Sequence, residues 1–326
     1  MADCFNWAPG ERDRLALQPI QNADVWEFRK KIEALHWTPQ EVDLTRDRAH
    51  WLRMTAEEKR MVRHQLAFFA SADIVVLDNL GANFRREVDC LEARMVYAAQ
   101  EDQECAHAES YGLQIEAVME GAEREATLNA VRTMPVVGRI RDWVGRWFDS
   151  ALHVGERLVA FAAVEGILFQ SSFAALQWLR ERNLLPGITS ANSFIARDEG
   201  VHTLFACLLV RRYVVRRPAP GRAEAIVREA IAVVDDFIDE SLPTPLAGLD
   251  APLMREYVRF QADSVLQAMG YPRAYGAANP FPFMDKLTLN EVAKTNFFEH
   301  RPSQYQNVVR PGGAALTLDT SAVPDF

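Results

Sequence analysis

The chain has 326 residues, of which 49% are hydrophobic and 25% charged, with 16 glycines and 16 prolines, a composition that suits one large helical core. A formal net charge of −9 excludes a nucleic-acid-binding surface as the expected role. The four cysteines, Cys4, Cys90, Cys105 and Cys207, form no Cys-x-x-Cys pair and read as small apolar fillers. With no signal peptide legible, a reducing cytoplasm is the expected location.

In chain order the pattern is helix after helix, with no convincing alternating run for a strand. Glu33-Ala-Leu-His36 runs straight into Trp37-Thr-Pro39, so a long apolar helix is not expected there. Thr55-Ala-Glu-Glu58 reads as a capping box that opens a helix to about Asn83. Within it, the apolar run Leu66 to Leu77 encloses Asp73, a residue that both helix propensity and burial disfavour. A second long helix is expected from about Glu87 to Glu120, and shorter ones near 122–132 and 138–149, with Pro135 between them. Leu158 to Leu179 is apolar on nearly every side and therefore buried, yet it carries Glu165. That stretch approaches the length of a membrane span, about 20 residues. Its central Glu and Gln, and its lack of a comparable second segment, mark it as the central helix of a core, and no membrane role is expected. The helix stops at Leu184-Leu-Pro-Gly187, another follows over about 190–216, and two more lie near 222–240 and 251–269. The domain is expected over 1–300, and the polar segment 301–326 is expected to be a flexible tail.

Two of the long helices carry Glu-x-x-His: Glu104 with His107, and Glu199 with His202. A spacing of three places both side chains on one helix face, where a carboxylate oxygen and an imidazole nitrogen can reach one ion. Two such helices, with one inward carboxylate from each of two others, form the ligand set of a carboxylate-bridged dimetal site in a four-helix bundle. Asp73 and Glu165 supply those carboxylates, and an unpaired ionised carboxylate in either place would cost many kcal/mol. Glu33-x-x-His36 shows that chance also produces the motif, so the argument rests on the buried acids. A protonated structural Glu165 is the competing account of that residue.

The chain resembles the small, radical-generating subunit of class I ribonucleotide reductases through Trp37-Thr-Pro-Gln-Glu-Val-Asp-Leu44, Glu92-Ala-Arg94, Val159 to Gly166, Arg197-Asp-Glu-Gly-Val-His202 and Lys294-Thr-Asn-Phe-Phe298. The likeness covers about residues 30 to 305. It implies an all-α, ferritin-like four-helix bundle with additional helices and a dimetal-carboxylate site. It also implies two metal ions per chain, iron foremost, with manganese or a mixed pair possible, on Asp73, Glu104, His107, Glu165, Glu199 and His202. By the same resemblance Tyr111 is the radical tyrosine, one helical turn after His107. Phe169 and Phe173, four and eight residues after Glu165, and Ile195, four before Glu199, are read as an apolar pocket that protects the radical. Trp37, Asp198 and His107 match the family's radical-transfer chain, and Tyr305 matches its relay tyrosine. The partners implied are O2 or superoxide as oxidant, a second copy in a homodimer, and a large subunit that binds the ribonucleotide and is docked through the tail ending in Asp325-Phe326. The alternatives are a different ferritin-like dimetal oxidase, a manganese-pair variant in which Tyr111 stays reduced, and an iron-storage protein.

Overall fold

The computed structural model describes residues 4–8 and 10–294; Tyr305 and the expected tail lie outside them. The helices are α1 (Ala23–Ala34), α2 (Asp47–Arg53), α3 (Ala56–Asn79), α4 (Arg85–Glu87), α5 (Leu91–Val118), α6 (Gly121–Leu128), α7 (Ala130–Thr133), α8 (Pro135–Arg146), α9 (Val154–Ala163), α10 (Phe169–Glu181), α11 (Pro186–Leu208), α12 (Pro220–Ser241), α13 (Ala251–Ala268) and α14 (Leu289–Lys294). Among the described residues the only β-type pairings are two isolated bridges, Phe5 with Val214 and Leu246 with Leu249.

Four long rods form the central bundle: α3, α5, the α9–α10 pair and α11. Helix α3 packs on α5, α11 packs on both α9 and α10, and α3 with α10 and α5 with α11 complete the ring. The capping box that opens α3 is present, with Thr55 Oγ1 accepting from the Glu58 N–H at 3.2 Å and Glu58 Oε2 from the Thr55 N–H at 2.9 Å. The apolar rod from Val154 to Glu181 has its apolar surface wholly covered by the protein itself, as its sequence required. Contrary to expectation it has a counterpart, because Ala56–Glu87 is also long and apolar enough to span a membrane, although only partly buried.

That central rod is interrupted. Between α9 and α10 the backbone widens into a π-helical turn over Val164–Leu168, the segment that holds Glu165. One extra residue in a turn rotates the following side chains by about 100° around the axis, which re-aims one side chain without ending the helix. Similar wide turns close α3 at Leu80–Phe84 and α11 at Leu209–Tyr213.

Two expectations about boundaries change. Pro135 and Pro186 open α8 and α11 as first-turn residues instead of separating elements, because a first-turn residue needs no N–H partner. As expected, no long apolar helix carries Glu33 and His36: α1 has 12 residues and ends at Ala34, before His36, and Glu33 is exposed and pairs with Lys30 at 2.6 Å. The start of α11 is fixed from a distance by buried Asp47, whose oxygens accept from the N–H groups of Gly187 and Ile188 at 3.0 and 2.8 Å. Among the cysteines, Cys90 and Cys207 are buried as expected, whereas Cys105 is exposed.

Candidate metal centre

Asp73 from α3, Glu104 and His107 from α5, Glu165 from the wide turn and Glu199 with His202 from α11 all face the space inside the bundle, each at most 1% exposed. Their ligand atoms fall into two groups that share Glu104. Asp73, Glu104 and His107 form one, and Glu104, Glu165, Glu199 and His202 the other; within each group the atoms lie within 4.8 Å of one another. His202 Nδ1 stands 3.1 Å from Glu104 Oε1 and 2.9 Å from Glu199 Oε2, and His107 Nδ1 stands 2.9 Å from Glu199 Oε1. The expected set of six is therefore one cluster, in which Glu104 belongs to both groups and Glu199 reaches both histidines.

The cluster fits cations better than it fits itself. Both oxygens of Asp73, Glu104 Oε2, Glu165 Oε2, Glu199 Oε1 and His107 Nδ1 are buried without a hydrogen-bond partner. His107 Nδ1 and Glu199 Oε1 are close, yet they are not aligned to bond with each other. A buried polar atom without a partner costs about 1–3 kcal/mol, so this many together describes a ligand set. Carboxylates with imidazoles suit divalent ions of the first transition row.

Electrostatics point the same way. Burial, reinforced by the neighbouring Glu104 charge, pushes Asp73 well above the ordinary carboxylate range, and burial with the Glu199 charge does the same to Glu165. Burial also works against a charged Glu199, but His202, Glu165 and His107 outweigh it and hold that carboxyl low. For the imidazoles, burial opposes the charge and the surrounding carboxylates overcome it, placing His202 at about 9 and raising His107 strongly. Cations and protons would therefore compete for the same ligand atoms.

Tyr111 sits one turn beyond His107 on α5, 1% exposed, and its hydroxyl has no hydrogen-bond partner. Its ring stacks on Phe69 at 4.7 Å with planes 4° apart, and Phe69 in turn meets Phe173 at 5.0 Å and Phe169 at 5.8 Å. Phe169 lies across the wide turn from Glu165, so regular helical spacing does not by itself set their relation. Ile195 is fully buried. Phe69, which sequence reasoning passed over, is the ring that touches the phenol. Burial, then the negative charge of Asp73, drives the Tyr111 hydroxyl well above its ordinary pKa.

On the far side of His107 a continuous polar chain leads away from the cluster. Asp198 Oδ2 lies 3.1 Å from His107 Nε2 and accepts from Trp37 Nε1–H at 2.8 Å. Trp37 and His107 also lie face to face, with ring centroids 6.1 Å apart. Two glutamines that carried no signal in the sequence join the cluster. Gln100 Nε2 lies 3.4 Å from both Glu104 Oε1 and Glu165 Oε1, and Gln103 Oε1 lies 2.8 Å from His202 Nε2.

A family model described as "Ribonucleotide reductase, small chain" matches residues 14–280. The chain belongs to the ribonucleotide reductase small-chain family. It is 42% identical over 326 residues to ribonucleoside-diphosphate reductase subunit M2 of Macaca fascicularis, covering 96% of this chain and 83% of that one. It is 43% identical over 314 residues to the small chain of Spisula solidissima, covering 94% and 81% respectively. The Rnr4 homodimer of Saccharomyces cerevisiae superposes with a TM-score of 0.76 at 32% identity, over 83% of this chain and 86% of that one. The R2 subunit of Clostridium botulinum shares the fold, with a TM-score of 0.78 at 17% identity over 84% of this chain and 91% of that one. The ferritin-like helical architecture expected from the sequence is therefore the fold of this family.

Proposed function

We propose that this chain is the radical-generating subunit of a cytoplasmic ribonucleoside-diphosphate reductase, that it holds two metal ions on Asp73, Glu104, His107, Glu165, Glu199 and His202, and that Tyr111 stores its oxidant. One observation carries the reading: ligand atoms without partners converge inside the bundle beside a buried phenol, itself without a partner, and one of the ligands opens onto the Trp37–Asp198 chain. When bound, a pair of iron or manganese ions supplies, with O2 or superoxide, the oxidising equivalents.

The protein's own part is separation and proton control. The Phe69, Phe169 and Phe173 rings exclude water from Tyr111, which protects an oxidised phenol from quenching. Its hydroxyl, with no fixed acceptor, is not committed to a neutral structural bond. Along the exit route, an indole that loses an electron becomes a strong acid. Asp198 Oδ2, 2.8 Å from Trp37 Nε1, is placed to take that proton, so little net charge develops in a buried place. Tyr305 and the tail would continue the route to a large subunit that binds the ribonucleotide, and a homodimer is the proposed state of this subunit.

The test uses the full chain. Loading with iron or manganese is expected to give two ions per chain, and activation a tyrosyl EPR signal that is absent from Tyr111→Phe. Fewer than two ions per chain, or a signal that persists in that variant, overturns the reading.

A further inference from the structure

The two histidines of the cluster are steadied by acceptors of different kinds. His107 directs Nδ1 into the cluster and Nε2 onto a carboxylate, Asp198 Oδ2, at 3.1 Å. His202 also directs Nδ1 inward, 2.9 Å from Glu199 Oε2 and 3.1 Å from Glu104 Oε1, but its Nε2 meets a neutral amide, Gln103 Oε1, at 2.8 Å. Gln103 is 5% exposed and stands on α5 beside Glu104, so the bond ties α5 to α11 across the bundle. Its outer side forms part of a surface cleft of about 470 Å³ between α1 and α5, with Trp26, Arg29, His36 and Asp102 around it. One amide therefore separates a ligand histidine from a cleft open to solvent.

An amide oxygen accepts and does not donate. It keeps the His202 proton on Nε2 and leaves the Nδ1 lone pair for an ion. A carboxylate acceptor makes its imidazole a stronger donor than an amide does, because the negative charge stabilises the partly positive ring of the bound state. We propose that Gln103 is the positioning residue for His202, tying that imidazole to α5 so that its Nδ1 stays turned toward Glu104 and Glu199. This inference rests on the metal-centre reading above.

Manganese(II) titration of the full chain, with free ion read by EPR, tests it in wild type, Gln103→Met and Gln103→Glu. Wild type is expected to bind two ions per chain. Gln103→Met, similar in volume but with no amide oxygen, should weaken one of the two ions by about ten- to a hundredfold and leave the other unchanged. Gln103→Glu should hold both ions at least as well as wild type. If the Met chain does not fold, Gln103→Asn, too short to reach His202, takes its place. Unchanged binding in the acceptor-free variant, or an equal loss in Gln103→Glu, overturns the proposal while leaving the metal centre intact. A wild-type chain that binds no manganese overturns the metal-centre reading itself.

Discussion

Tyr111→Phe should move stability and function in opposite directions. The hydroxyl is buried without a partner, and such a group costs about 1–3 kcal/mol relative to an apolar replacement of the same shape. Phenylalanine keeps the ring stacked at 4.7 Å on Phe69, so no packing is lost. The variant is therefore expected to be more stable by about 1 kcal/mol as the ion-free protein, taking the low end because the hydroxyl also loses favourable local dipole interactions. Urea unfolding in excess chelator reads this as a higher midpoint at an unchanged slope. Chelator is needed because ions bind the folded state alone and would mask a difference of this size. Reductase activity measured with the large subunit should fall to background. A stability loss of about 1 kcal/mol or more would show that the hydroxyl is structural. Full activity in the variant would remove Tyr111 from the mechanism.

Other positions separate the scaffold from the site. Glu92 is fully buried; burial alone would raise its pKa, but the Arg14 guanidinium and hydrogen bonds from the Gln21 N–H and Asn22 hold it at about 2, against 4.5 in the unfolded chain. A folded pKa below the unfolded one adds stability that is complete above pH 4.5 and is lost as pH falls toward 2. Glu92→Gln should thus cost up to about 3 kcal/mol in denaturant unfolding at neutral pH, and the gap should narrow below about pH 4.5; a gap that does not depend on pH would refute this. Gly166→Ala would bring a Cβ within 2.6 Å of Thr203 Cγ2 and 2.7 Å of Val265 Cγ2, and Thr203 cannot turn aside, because its hydroxyl bonds to Glu199 O at 2.7 Å. The expected result is a loss of about 1–3 kcal/mol together with weaker metal loading, since Glu165 and Glu199 would be pushed apart. Wild-type metal content in that variant would show that the helices yield without disturbing the ligands.

The sequence carried much of the site because helical neighbours are encoded by spacing. Glu104 with His107, and Glu199 with His202, lie three residues apart, and a helix of any length puts such pairs on one face. Asp73 and Glu165 were legible for a different reason, since an acid inside an apolar helix needs a partner wherever the helix packs. Glu33 and His36 satisfy the same spacing, but their helix ends at Ala34 and Glu33 points to solvent. Local sequence thus proposed three copies, and only burial of the surrounding helices chose two.

Contacts between helices depended on how the rods cross, which no spacing states. Asp198 meets Trp37 across 161 positions and His107 across 91; the sequence offered that chain only through family likeness. Gln103, Gln100 and Phe69 gave no sequence signal at all, because an amide or a ring on a buried face reads as ordinary packing until its partner is known. The close fit of Gly166, inside the wide turn that holds Glu165, against Thr203 and Val265 is likewise a contact between helices that no spacing states. The sequence by itself determined an all-helical chain with six candidate ligands. Tertiary packing alone decided that Glu104 would sit between the two ligand groups and that the two histidines would lean on unequal acceptors, because both depend on distances between helices rather than along them.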